Sequence, residues 1–171
     1  MNNIEKIKLK IIIIGEYAVG KTSLVKKFVS GQFANDYRAS IGTNLFTTKI
    51  SLDSGIDTLI QIWDIAGQER WTQMRHIYYK GTNGVLIVAD LTRKNTFEQI
   101  EKFWYPDLKE NNISSPIILL GNKNDLKKVI SEEEIESLGK KINAKHVLST
   151  SAKTGINVIK AFKLISEQAI N

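Results

Sequence analysis

Short apolar runs alternate along this chain with stretches in which apolar residues recur every three or four positions. Leu9 to Ile14 is nearly unbroken and rich in β-branched residues, as expected of a strand buried on both faces. Thr22 to Ser30 then reads as a helix. Phe46 to Leu52 and Thr58 to Trp63 are two further strands, and Asp53-Ser54-Gly55 between them predicts an antiparallel hairpin. Val85 to Ala89 and Ile117 to Leu120 read as buried strands, and His146 to Leu148 as a last short one. Asn95 to Glu110 carries Phe97, Ile100 and Trp104 on one helical face, and Pro106 should kink this helix or end its first part. Ser131 with Glu134 has the form of a capping box and opens another helix. Ile156 to Ala169 is a final helix with Val158, Ile159, Phe162 and Ile165 as its apolar stripe. The alternation predicts an α/β fold: a six-stranded, mostly parallel sheet with one antiparallel strand and helices on both faces. A single domain over residues 1–171 is expected, with its ligand beyond the carboxyl ends of the strands.

Composition narrows this little. The 42% hydrophobic and 25% charged content is that of an ordinary globular domain. The net charge of +6 comes from lysines spread over the chain and interrupted by acidic runs such as Glu132 to Glu134, so a solvated surface is expected and no nucleic-acid site. The absence of cysteine excludes disulfides, thiolate nucleophiles and thiolate metal sites, and it fits a reducing, cytoplasmic setting. It also leaves no residue for prenylation or palmitoylation, and Asn2 after Met1 excludes myristoylation, so no lipid anchor is expected in this chain. No run is long enough to span a bilayer.

The chemistry begins directly after the first strand. Gly15-Glu16-Tyr17-Ala18-Val19-Gly20-Lys21-Thr22 fits G-x-x-x-x-G-K-[ST]. Such a loop wraps backbone N–H groups around phosphate oxygens, and glycine permits the dihedrals and the close approach. The helix that follows adds its positive end. Lys21 brings a charge to the β- and γ-phosphates, and the Thr22 hydroxyl can ligate magnesium. A chance match has odds on the order of 10⁻⁵ per starting position. The loop indicates a nucleoside triphosphate without saying which base.

Asn122-Lys123-Asn124-Asp125 follows the run ending at Leu120-Gly121. A carboxylate there can accept paired hydrogen bonds from N1–H and the 2-amino group of guanine, which adenine cannot supply. The Lys123 stem can lie against the base. Together with Trp63-Asp64-Ile65-Ala66-Gly67-Gln68-Glu69 and Thr150-Ser151-Ala152-Lys153, these segments stand in the order and spacing of the Ras superfamily of small GTPases. The chain resembles that superfamily from Lys8 to about Ala169, and within it most resembles the Rab branch. Ser40-Ile41-Gly42 and Tyr78-Tyr79-Lys80-Gly81 carry that second likeness.

The resemblance implies a P-loop GTPase fold and a molecular switch that binds GTP or GDP with Mg2+ and hydrolyses GTP slowly without an activating partner. It implies nucleotide contacts at Gly15, Tyr17, Ala18, Val19, Gly20, Lys21, Thr22, Ser23, Phe33, Tyr37, Ser40 and Gly67. Asn122, Lys123, Asp125, Ser151, Ala152 and Lys153 are implied at the base, with Phe33 across its face. Magnesium is implied at Thr22, Ser40 and, through water, Asp64. Catalysis is implied at Gln68, Lys21 and Gly67, with Gln68 orienting the attacking water. Effectors, exchange factors and GTPase-activating proteins are implied at two switch regions, about 33–43 and 65–79, on a monomer.

Three positions depart from that pattern. Serine stands at 40 where the family has threonine, which keeps the hydroxyl and loses a rotamer-fixing methyl. Tyr17 occupies a phosphate-loop position that is usually small, and its ring can crowd an activating arginine. Asn44 and Leu45 replace the Asp and Phe usual in Rab proteins, which alters the effector surface. The alternative to a working hydrolase is a GTP-dependent binding module with little useful turnover. An ATP-dependent kinase or motor has little room beside the two guanine motifs.

Overall fold

The computed structural model describes residues 7–31, 42–68 and 72–171. Its elements run β1 (Ile7–Ile14), α1 (Lys21–Ser30), β2 (Thr43–Ser51), β3 (Asp57–Ile65), α2 (Arg75–Tyr79) and β4 (Gly84–Asp90). They continue with α3 (Lys94–Gln99), a π-helical turn (Ile100–Trp104), α4 (Tyr105–Glu110), β5 (Ile117–Asn122), α5 (Glu132–Lys141), β6 (His146–Ser149) and α6 (Val158–Ile170). The sheet has six strands in the order β2-β3-β1-β4-β5-β6. β2 and β3 pair antiparallel as the expected hairpin, and the other neighbours pair parallel.

Each face of the sheet has its own core. Leu9, Ile11 and Ile13 of β1 face Leu24 and Val25 of α1 and Phe162 and Ile165 of α6. Ile12 and Ile14 point the other way, into Phe97, Ile100, Trp104 and Leu108 of the α3–α4 stretch and Ile135 and Leu138 of α5. This is the period-2 alternation of a strand covered on both sides. The Ser131 capping box forms as expected.

The 94–110 helix breaks ahead of Pro106 as expected: α3 ends at Gln99, and a π turn in which the Tyr105 N–H donates to the Ile100 carbonyl leads into α4. The wider turn comes immediately before the proline, whose ring would otherwise crowd a preceding carbonyl. Ile159 is 60% exposed and does not belong to the buried stripe of α6, which is made by Val158, Ala161, Phe162 and Ile165. Helix α2 adds an element to those the pattern predicts, within the expected 65–79 region.

Candidate functional site

Three loops meet at the carboxyl ends of β1, β3 and β5. The first, between β1 and α1, is the phosphate loop. Gly15 has φ 147°, and a Cβ there would collide with the Val88 carbonyl of β4. Gly20 has φ 101°, and a Cβ there would strike the Asn122 side chain. Both positions therefore need glycine for conformation and for space. Val19 is fully buried, and its carbonyl accepts from Asn122 Nδ2 at 3.0 Å. Ser23 lies half-buried in the first turn of α1.

Lys21 is 6% exposed and folds back over this loop, donating to the Gly15 and Glu16 carbonyls, each at 2.9 Å. Burial pushes its pKa down to about 8, against the raising effect of the Asp64 and Glu16 charges. The ammonium is thus under-compensated and suited to a polyanion.

The second loop follows β3. Asp64 is fully buried, and Thr22 Oγ1 donates to its Oδ2 at 2.5 Å. Asn44 Nδ2 stands 3.5 Å from the same oxygen. Burial raises the Asp64 pKa, partly offset by the Thr22 hydrogen bond and the Lys21 charge. Its Oδ1 is buried with no hydrogen-bond partner among the described residues. A hydroxyl, a carboxylate and an orphaned carboxylate oxygen form a hard-oxygen donor set that fits Mg2+. Gly67 is pressed against the phosphate loop so closely that a Cβ would collide with the Tyr17 amide nitrogen. Gln68 follows, exposed.

The third loop carries the base motif. Asn122 is buried and organises it: its Oδ1 accepts from Thr150 Oγ1 at 3.1 Å and from the Ala152 N–H at 3.3 Å. Asp125 is exposed and accepts from Ser151 Oγ at 2.7 Å. The two base segments are thus joined side chain to side chain, leaving the second carboxylate oxygen of Asp125 for a ligand. Lys153 is exposed beside them.

Lys123 ties two of these loops together. Its Nζ donates to the Ala18 carbonyl at 2.9 Å and pairs with Asp90 Oδ2 at 2.7 Å. Burial alone would raise the Asp90 pKa, yet hydrogen bonds from Lys123, Thr92 and Arg93 hold it below the usual carboxylate range.

Sequence reasoning missed Asp90, Arg93, Glu16 and Trp104. Arg93 pairs with Asp90 Oδ2 at 3.0 Å and donates from Nη2 to the Tyr17 carbonyl at 2.8 Å. Trp104 Nε1 donates to Glu16 Oε1 at 3.1 Å. One signal was available for Asp90, an acidic residue ending an otherwise apolar strand. Tyr17 is 46% exposed, with its backbone held and its ring outward. Phe33, Tyr37 and Ser40 lie outside the described residues, as does most of the 33–43 switch region.

A model of the Ras family matches residues 10–171. The chain is 35% identical over 177 residues to the Ypt/Rab-type GTPase YPT7 of Saccharomyces cerevisiae, covering 99% of this chain and 85% of that protein. It is 35% identical to the Ras-related protein RABG3c of Arabidopsis thaliana, covering 96% of this chain and 84% of that protein. Human Ras-related protein Rab-32 is 36% identical, over 94% of this chain and 74% of its own length.

Proposed function

The chain belongs to the Ras family as a Rab-like small GTPase, a GTP-hydrolysing molecular switch, and from that premise we propose how its own residues divide the work. The observation that carries the reading is the Thr22–Asp64 pair, 2.5 Å apart with Asp64 Oδ1 orphaned, directly beside buried Lys21. A polyphosphate with a hard cation gives those three groups a common use.

In this reading the amides of the 15–20 loop and the Lys21 ammonium bind the β- and γ-phosphate oxygens and neutralise charge that builds during transfer. Thr22, Ser40 and, through water, Asp64 would hold Mg2+, which would supply neutralisation of phosphate charge. The Gly67 N–H meets the γ-phosphate, and Gln68 orients a water for in-line attack. The water oxygen bonds to the γ-phosphorus as the bond to the β-bridging oxygen breaks, giving GDP and inorganic phosphate. Asp125 selects guanine, the Ala152 N–H reads its O6, and Phe33 covers its face.

Turnover without a partner is slow, because positioning and charge neutralisation supply most of the acceleration and a partner's arginine adds the rest. Partners that exchange nucleotide, activate hydrolysis or read the bound state use regions 33–43 and 65–79. The protein acts as a cytoplasmic monomer without nucleic acid. Among the described residues no helix is long and apolar enough to cross a membrane.

The experiment is chromatography of nucleotide released from the purified chain, followed by single-turnover GTP hydrolysis with and without Mg2+. GDP or GTP in near-equal molar amount and slow, Mg2+-dependent release of phosphate are expected. Adenine nucleotide, or none, overturns the ligand. Bound GTP that is never hydrolysed leaves a binding module in place of an enzyme.

A further inference from the structure

Three successive carbonyls of the phosphate loop are gripped from outside it. The Tyr17 carbonyl accepts from Arg93 Nη2 at 2.8 Å, the Ala18 carbonyl from Lys123 Nζ at 2.9 Å and the Val19 carbonyl from Asn122 Nδ2 at 3.0 Å. All three donors come from the carboxyl ends of two neighbouring strands. Arg93 stands three residues after Asp90, the last residue of β4. Asn122 ends β5 and pairs in register with Asp90, and Lys123 follows it. The three carbonyls are therefore drawn to one side of the loop.

A trans peptide is planar, with its C=O and the following N–H on opposite sides. Holding the carbonyls of 17, 18 and 19 toward β4 and β5 turns the N–H groups of Ala18, Val19 and Gly20 the other way. Ala18 has φ 60° and Gly20 φ 101°. Turns of this hand bring successive N–H groups into an anion-binding concavity.

Buried Asp90 aims two of the three donors. Its Oδ2 accepts from Arg93 Nε at 3.0 Å and pairs with Lys123 Nζ at 2.7 Å. The planar guanidinium suits this place, because Nε meets the carboxylate while Nη2 reaches the Tyr17 carbonyl. Thr92 donates to the other oxygen of Asp90 from its N–H at 2.8 Å and its Oγ1 at 2.6 Å. Lys123 and Asn122 belong to the base motif. Arg93 belongs to no motif, and its grip on the loop has no use assigned above.

We infer that Arg93 is a positioning residue for hydrolysis: by holding the Tyr17 carbonyl it aims the Ala18 N–H at phosphate oxygens on which charge builds during transfer. It acts from the far side of the loop and meets no reacting atom. A donor fixed in advance stabilises developing charge without reorganising. That the anion is a phosphate rests on the function proposed above.

The test compares Arg93→Ala with Thr92→Ala in the full chain loaded with GDP and with GTP. Both variants remove donors from Asp90, so both should lose stability in chemical denaturation. Only Arg93→Ala should move the Ala18 amide resonance and the phosphorus resonance of the GDP β-phosphate. Single-turnover hydrolysis should fall roughly tenfold or more in Arg93→Ala, short of the about 10²- to 10³-fold that follows loss of a whole donor, and stay within about twofold of wild type in Thr92→Ala. Arg93→Met keeps the stem without the donors and should show the same losses if Arg93→Ala is too unstable to load.

Equal effects of Arg93→Ala and Thr92→Ala overturn the proposal and leave Arg93 a partner of Asp90 alone. Unmoved resonances with wild-type turnover in Arg93→Ala do the same. A wild-type chain that holds no guanine nucleotide overturns the ligand reading, and this inference falls with it. Loss of the Arg93 effects in a chain that does hold nucleotide overturns the inference and leaves the ligand reading standing.

Discussion

Lys123 Nζ donates to the Ala18 carbonyl at 2.9 Å, and both residues sit at positive φ, 68° and 60°. The base motif and the phosphate loop therefore hold each other through two strained non-glycine residues, as functional loops often do. Replacing Lys123 by Ala removes this tether and one cationic partner of buried Asp90. Arg93 and Thr92 remain on Asp90, so the loss should fall below that of a fully orphaned charge, at about 2 kcal/mol. Chemical denaturation measures it, and GDP release should quicken in the same variant.

Ala18→Gly should act oppositely. A left-handed alanine costs about 1–2 kcal/mol, and glycine's extra freedom in the unfolded chain costs about 0.5–1 kcal/mol. The difference favours the variant by roughly 0.5–1 kcal/mol, readable as a raised denaturation midpoint. An unchanged or lowered midpoint would show that Ala18 carries no strain.

Asp90 gives the fold a pH dependence. Lys123, Thr92 and Arg93 overcome burial and hold its folded pKa below the unfolded value near 3.9. Its stabilisation is therefore complete above that value and is lost as pH falls through the folded pKa. Wild type should lose stability relative to Asp90→Asn as denaturation is repeated from pH 5 downward. Parallel curves would remove Asp90 from the acid transition.

Tyr17 stands 46% exposed with its carbonyl fixed by Arg93, on the loop that in the proposed reading an activating arginine approaches. Tyr17→Gly should leave intrinsic turnover within about threefold, since the amides of the loop remain. Turnover stimulated by an arginine-supplying activator should rise by tenfold or more, on the scale of about 10³- to 10⁵-fold that such arginines provide. Equal stimulation of both proteins would mean that the ring stands clear of the route.

The regular elements were legible because their periods are strong. The nearly unbroken apolar run of β1 and the hairpin turn at Asp53-Ser54-Gly55 follow from burial on both faces and turn chemistry alone. The phosphate and base motifs were legible because their spacing is fixed by the ligand. The connections among motifs were not. That Asn122 joins Val19, Thr150 and Ala152 depends on strand order, which local pattern does not carry. The π turn at Ile100–Trp104 was hidden because proline signals a disturbed helix without saying how the chain absorbs it. Helix α2 is five residues long and is fixed by tertiary contacts, so it left little periodicity to read.

Those contacts support the final prediction. Arg75 of α2 grips Asp107 with Nε at 2.8 Å and Nη2 at 3.1 Å, and Tyr79 Oη donates to the same carboxylate at 2.7 Å. The guanidinium lies 5.0 Å from the Phe103 ring centre, in the π turn. The adjacent Trp104 holds Glu16 of the phosphate loop. Burial, with Asp107 beside it, pushes the Tyr79 phenol far up, so it stays a donor throughout the working pH range. Arg75→Ala leaves a carboxylate 8% exposed with its charge uncompensated, which costs about 3 kcal/mol. Asp107→Asn with Arg75→Ala restores neutrality and should recover part of that loss, a coupling readable in a double-mutant cycle. Because α2 lies in the proposed second switch region, hydrogen exchange in 75–79 should quicken far more than in α6. Equal quickening in both helices would make the clamp a general stabiliser and not an anchor for the switch.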